Sequence, residues 1–268
     1  MDNIIMVFYF IFFGLIGLCV GSFLNVVIYR WPEGMSIVKP GSHCTKCDYE
    51  LKWYDNIPIL SYIILGGKCR KCGEHISFRY TLVEIGNTIL WLICLVLNKN
   101  NIPLALVYSI VSSIFVCIFF IDIEHKIIMD RFNIAIIVLA IISIFLQDKS
   151  LWLSIGIERL IGCAVGGGFF LLMFYGSILI LKKEGLGGGD VKYMFAAGLL
   201  LGWKNICLTI LIASILGSIT IIILQKVRKD DKEHEYPFAP YLVIGSLISL
   251  FFGTQIINAY LQLLQFGV

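Results

Sequence analysis

A series of apolar runs, each comparable in length to the thickness of a bilayer, constrains this chain more than any other feature. The first, Ile4–Tyr29, carries no charged residue. A spanning helix needs roughly 20 predominantly apolar residues. Inside hydrocarbon every backbone N–H and C=O must be satisfied, which makes helices the solution for runs of this kind. Further runs are Thr81–Leu97, Ile102–Ile121, Phe132–Leu146, Leu160–Leu181, Val191–Trp203, Ile206–Gln225 and Ala239–Ile257. A composition of 59% hydrophobic and 15% charged residues is far from that of a water-soluble domain. The expected fold is an all-α polytopic membrane protein of about eight transmembrane helices, with Val191–Trp203 short enough to be partly re-entrant. Met1-Asp2-Asn3 has no basic region and no small-residue cleavage site follows, so residues 1–29 are expected to persist as the first transmembrane helix.

Charge sets the expected orientation. With the amino terminus outside, only Lys99, Lys149, Arg159 and Lys204 of the 21 basic residues fall in outer loops. The rest fall inside, as the positive-inside rule requires. Basic residues placed this way serve orientation and can meet anionic headgroups, so they call for no nucleic-acid partner. Glycine pairs within the runs, Gly17-x3-Gly21 and Gly162-x3-Gly166, read as close helix packing and not as chemistry.

The one sizeable segment outside the membrane, residues 30–80, is too small to build much of a core without a staple. It supplies one. Cys44-Thr45-Lys46-Cys47 and Cys69-Arg70-Lys71-Cys72 are two C-x2-C pairs separated by twenty-one residues. Each turn can aim two thiolates at one ion, and the two together make a tetrahedral sulfur site suited to structural zinc. A cytoplasmic location disfavours disulfides, which argues for a metal over crosslinks. Cys19, Cys94, Cys117, Cys163 and Cys207 lie in apolar runs and are expected to be small buried hydrophobes.

Two carboxylates stand apart. Asp190 follows Gly187-Gly188-Gly189 between two apolar runs, and Asp122 directly abuts Ile110–Ile121. An ionisable residue at such a position is costly to desolvate and reads as functional. Two close carboxylates do not both ionise easily. The charged member can then activate water while the protonated one hydrogen-bonds a scissile carbonyl. Glu124 and Asp130 near Asp122 read equally as a solvated helix end. A transporter or an assembly scaffold also carries membrane carboxylates, but typically near the midplane and with internal repeats. Here the acids fall at one face, and the two halves show no convincing repeat.

In their order, these motifs resemble the type IV prepilin peptidases, membrane aspartic proteases of the GxGD class. The resemblance is carried by Gly21 to Arg30, the two cysteine pairs, Asn56-Ile57-Pro58, Gly66-Gly67-Lys68-Cys69, Ile121-Asp122, Lys183 to Lys192 and Pro237-Phe238-Ala239-Pro240-Tyr241. It implies that Asp122 and Asp190 are the catalytic pair, in a loop shaped by Gly187, Gly189 and Lys192. It implies a peptidase domain over residues 81–268 and a methyltransferase-associated insert over 30–80. The implied substrates are prepilins or pseudopilins, cut after glycine at the cytoplasmic face of the bacterial inner membrane. Glu124, Asp130 and Glu184 are then expected to attract the basic leader. The resemblance further implies methylation of the new amino terminus from S-adenosylmethionine, with Lys68 and Glu84 as supporting residues; a peptidase without that activity is the alternative. Met129, Glu124 and Thr81 stand where the family often has proline, aspartate and proline. None of these departures removes a catalytic carboxylate.

Overall fold

A computed structural model describes residues 3–182, 185–228 and 236–266. Among these residues the regular structure is helical: α1 (Asn3–Arg30), α2 (Leu60–Ile64), α3 (Arg79–Leu97), α4 (Ile102–His125), α5 (Asp130–Phe145), α6 (Trp152–Leu181), α7 (Gly188–Leu201), α8 (Trp203–Arg228) and α9 (Ala239–Phe266). Each of the eight apolar runs is a helix, but only α1, α3, α4, α6, α8 and α9 are long and apolar enough to cross a membrane. Six such helices among the described residues roughly fit the expectation of about eight. The 16 residues of α5 reach only about 24 Å and the 14 of α7 about 21 Å. Length decides this, not polarity. Large apolar side chains such as Ile4, Leu153, Leu172 and Leu179 are exposed along the long helices, as an integral membrane protein requires of a lipid-facing surface and as a water-soluble one avoids.

The chain forms two compact units, Met1–Cys117 and Ile118–Val268, and the division falls inside α4. In the first, α1 packs along α3. A Cβ on Gly17 would lie 3.1 Å from the Cα of Thr88, and one on Gly21 only 2.8 Å from the Cα of Glu84. The glycine pair is thus where the two backbones touch. Polar groups buried at this contact satisfy one another. Asn87 donates to the Gly17 carbonyl (2.8 Å), and its own side-chain oxygen accepts from Ser113 (2.7 Å), which also receives the Trp91 indole N–H (2.9 Å). Phe13 meets Trp91 edge-on in the neighbouring apolar core.

In the second unit α7 packs against α5, α6, α8 and α9. Much of α7 is buried, including Val191, Tyr193, Met194, Ala196, Ala197 and Leu200. This short helix is a core element with little lipid-facing surface. Gly162 of α6 and Gly198 of α7 interlock, since a Cβ on Gly162 would stand 2.5 Å from the Gly198 carbonyl oxygen. The Tyr193 hydroxyl meets Ser246 of α9 (2.9 Å), and Thr209 of α8 meets Ser249 (2.9 Å). Helix α6 begins earlier than its apolar run suggests. Arg159, expected in an outer loop, lies in α6, is buried, and donates to the Ala140 carbonyl (2.6 Å) and Ser143 (2.5 Å) of α5. Buried cysteines are confined to Cys94 and Cys117; Cys19 and Cys207 are exposed on their helices, against the expectation that all five pack inside.

Candidate active site

Asp190 is the third residue of α7, and Gly187 is the cap residue before it. Its carboxylate folds back beside Gly187 at its own helix start, the position that the acidic side chain of a capping box takes. The three glycines are not equivalent. A Cβ on Gly187 would come within 3.2 Å of Oδ2 of Asp190, and one on Gly189 within 3.2 Å of the Ile128 Cβ. A Cβ on Gly188 would meet nothing within 4 Å. Gly187 therefore leaves room for the carboxylate, and Gly189 lets α7 approach the chain that follows Asp122.

Asp122 lies in the last turn of α4. Lys126, four residues on, adopts a left-handed conformation (φ 54) and its N–H bonds the Asp122 carbonyl at 2.9 Å. This ends the helix with the αL cap more usual for glycine and turns the chain toward Ile128. The Asp122 side chain is 6% exposed and the Asp190 side chain 9%. The segments that carry the two carboxylates meet where Gly189 approaches Ile128. Oδ2 of Asp122 is buried without a hydrogen-bond partner.

In the other unit the two cysteine turns are built alike. Asp48 N–H bonds the Cys44 carbonyl and Gly73 N–H that of Cys69, both at 2.9 Å, and Asp48 and Gly73 share a positive φ. Isolated bridges His43–Glu50 and Lys68–His75 close the turns. All four sulfurs lie within 4.8 Å of one another, with Cys44–Cys72 at 3.8 Å and Cys47–Cys69 at 4.0 Å. Zinc–sulfur bonds of about 2.3 Å in a tetrahedron place sulfurs about 3.8 Å apart, so the set fits such an ion. Backbone N–H groups of Cys72 and Lys71 hold the Cys69 thiol down to about 6, which favours the ligating thiolate. Lys46 pairs with Glu74 across the turns. Asp55 binds Arg70 (2.7 Å) and Tyr49 (3.2 Å). Burial disfavours its charge, but those partners outweigh burial and hold its carboxyl below the ordinary range.

A cavity of about 380 Å³ opens between this insert and helices α1 and α3. Asn25, Arg30, Asp55 and Glu84 are among its lining residues. The Arg30 guanidinium is held by the carbonyls of Ser36, Pro40 and Gly41. Glu84 accepts the N–H of Ile59 at 2.8 Å, which stabilises a β-branched residue at φ 61, where such residues are rare. Oδ1 of Asn25 is buried without a hydrogen-bond partner.

Comparison with known proteins places these features. The family model for the bacterial peptidase A24 N-terminal domain matches residues 15–97, and that for the type IV leader peptidase family matches residues 109–222. A prepilin leader peptidase/N-methyltransferase of Pseudomonas aeruginosa is 31% identical over 280 residues, covering 94% of this chain and 93% of that protein. Proteins of the same name from Pseudomonas putida (30% identity, 94% of this chain and 93% of that protein) and Myxococcus xanthus (38%, 80% and 62%) are also similar. The chain belongs to the type IV leader peptidase family. No solved structure matches it.

Within this family member, Asp122, Asp190, Gly187 and Gly189 converge in one unit, and the four cysteines converge in the other. Asp130 and Lys192 pair with each other (2.8 and 2.9 Å) on an exposed surface and tie the first turn of α5 to α7. Glu124 is exposed, and Glu184 lies outside the described residues. Glu84 lines the cavity, whereas Lys68 is exposed on the second cysteine turn and is not part of that lining. Sequence reasoning assigned no role to Asn25. The available signal was its position between Gly21 and Arg30.

Proposed function

We propose that this protein cleaves the basic leader from type IV prepilins and pseudopilins, after glycine, with Asp122 and Asp190 as the catalytic pair. The observation that carries this reading is two buried carboxylates at helix ends within one unit, on segments brought together where Gly189 meets Ile128. The ionised member takes a proton from water as the water oxygen attacks the scissile carbonyl carbon. The protonated member donates a hydrogen bond to the carbonyl oxygen. Collapse of the tetrahedral intermediate returns a proton to the departing amine. The basic residues orient the chain with its amino terminus outside and place the insert and both carboxylates at the cytoplasmic face of the inner membrane. A prepilin with its basic leader inside presents its cut site at that level, and Glu124 adds negative charge there, whereas Asp130 is already paired with Lys192.

The insert is read as a closed zinc site of Cys44, Cys47, Cys69 and Cys72 that braces the methyltransferase part of the protein. The cavity beside it has the size of a small-molecule site, and its free Asn25 oxygen and the Glu84 carboxylate suit a cationic, adenosine-sized ligand. S-adenosylmethionine, when bound, supplies an electrophilic methyl group. Glu84 offers negative charge to the donor or to the incoming amine, Asn25 offers an acceptor, and Arg30 fixes the wall; Lys68 stands outside as a surface contact. Residues 30–80, with Asn25 of α1 and Glu84 of α3, thus serve methylation, and the part of residues 81–268 that carries Asp122 and Asp190 serves cleavage.

Purified Asp122→Asn and Asp190→Asn proteins should each lose at least about a hundredfold in prepilin cleavage, the scale of general acid–base catalysis. Retained cleavage by either folded variant sinks the paired-aspartate reading. Glu84→Gln should yield cleaved pilin lacking its methyl group by mass spectrometry. Wild-type product without a methyl group would leave a peptidase alone.

A further inference from the structure

Helix α2 of the insert has two unlike sides. Ser61, Tyr62 and Leu65 line the cavity beside the cysteine turns. Leu60, Ile63 and Ile64, spaced i, i+3 and i+4, share the other face. Ile63 and Ile64 are 66% and 69% exposed, and Leu60 is exposed as well. A water-facing surface seldom gathers large aliphatic side chains in this way. The patch is not isolated. The Tyr62 ring meets that of Phe78 edge-on at 6.1 Å. Phe78, just before α3, begins an exposed helical stripe with Leu82, Ile85 and Ile89. The apolar side of α2 is thus continuous with the lipid-facing side of a spanning helix.

The depth of α2 agrees. The 19 residues of α3 rise about 28 Å, close to the roughly 30 Å of the hydrocarbon layer, so Arg79 falls at its boundary. Glu84 lies five residues further in, about 7.5 Å along the axis. Its carboxylate accepts the N–H of Ile59 at 2.8 Å, which ties the start of α2 inside that boundary. The main chain there is suited to lipid. The N–H groups of Ser61, Ile63 and Leu65 bond the carbonyls of Ile57, Ile59 and Ser61 at 3.1, 3.1 and 2.9 Å. Those of Gly66 and Gly67 close on Ile63 and Tyr62 at 3.1 and 2.9 Å, and the Ser61 hydroxyl donates to the Ile57 carbonyl at 2.6 Å. These donors need no water, as hydrocarbon demands. Exposed Lys52 and Lys68 bracket α2 in the sequence.

We propose that the Leu60, Ile63 and Ile64 face of α2 seats among the lipid acyl chains at the edge of the leaflet on the insert's side, an interfacial anchor that holds the cysteine insert against the bilayer. Three large aliphatic side chains leave water on seating, while Lys52 and Lys68 meet anionic headgroups. The insert is then fixed to the membrane along α2 and not only where α1 and α3 enter it. The cavity walled by Ser61 and Tyr62 accordingly lies at the membrane surface.

The test replaces Ile63 by p-benzoylphenylalanine, which captures neighbouring C–H bonds on illumination. The full-length protein is held in nanodiscs of phosphatidylethanolamine and phosphatidylglycerol, and mass spectrometry counts the lipid adducts. Two further proteins carry the same residue in place of Ile89, on the α3 stripe, or of Lys71, exposed on the second cysteine turn. The lipid yield at position 63 should lie within about threefold of that at 89 and exceed that at 71 at least about tenfold, as for a side chain at the acyl boundary. If the position-63 protein does not fold, the same replacement of Leu60 or Ile64 must give that yield. A lipid yield at the α2 face no higher than at position 71 overturns the proposal. Chain-to-chain crosslinks in place of lipid adducts also overturn it, because the face would then be an interface between copies.

Discussion

The cysteine insert and the aspartate pair are both small constellations, but different kinds of group hold them. In the insert, side chains do the holding: four sulfurs face one another, Arg70 and Tyr49 grip Asp55, and Lys46 reaches Glu74. At the aspartate pair the close fits are made by residues without side chains, Gly187 beside the Asp190 carboxylate and Gly189 beside Ile128. A site built by side chains tolerates main-chain adjustment and fails when a side chain is removed. A site built by backbone tolerates few changes of volume and fails when a methyl group is added.

The sharpest way to break this contrast is to substitute a cysteine. Cys69→Ser, or a strong chelator, should remove about one zinc ion per chain and open the insert to protease, since a structural metal supplies much of the folding energy of so small a segment. Metal analysis and limited proteolysis check this. Prepilin cleavage should change far less, and a loss as large as that of Asp190→Asn would mean that the regions are not separable.

The glycine series comes next. Gly189→Ala places a methyl group 3.2 Å from Ile128 and should cost roughly tenfold in kcat through a displacement of tenths of an ångström. Gly188→Ala meets open space and should stay within about twofold, or gain slightly in stability because alanine favours helix. Steady-state cleavage assays on the two variants decide whether close approach or mere glycine content matters.

The smallest effect is expected at Asp55. Asp55→Asn should speed hydrogen exchange around Trp53–Asn56 without releasing zinc at neutral pH. The folded-state pKa of Asp55 is lowered, so its contribution is complete above the ordinary carboxylate value of about 4 and fades only as pH falls through the lowered one. Exchange measured at pH 7 and pH 5 should therefore show the same protection from this bond. A loss between those values would place the titrating group elsewhere.

The same contrast explains what could be read from sequence. The cysteine spacing and the apolar runs state their geometry openly, because metal ligation and hydrophobic burial depend on side-chain identity and period. Asp122 and Asp190 were legible as residues, but their convergence was not, since sixty-eight positions separate them and the contact is made through Gly189 and Ile128. Arg159 read as a loop charge because the local hydropathy around it says nothing of the Ala140 carbonyl that accepts its hydrogen bond.

The interlocked Gly162 and Gly198 limit how this protein can change over generations. A methyl group at either position meets backbone of the opposing helix, and no neighbouring side chain can be trimmed to make room. Ordinary core overpacking can be relieved by a second substitution nearby, but here neither helix has an atom to give up. Stepwise substitution is therefore closed at this crossing, and the approach of α6 to the helix bearing Asp190 can be altered only by shifting a whole helix at once.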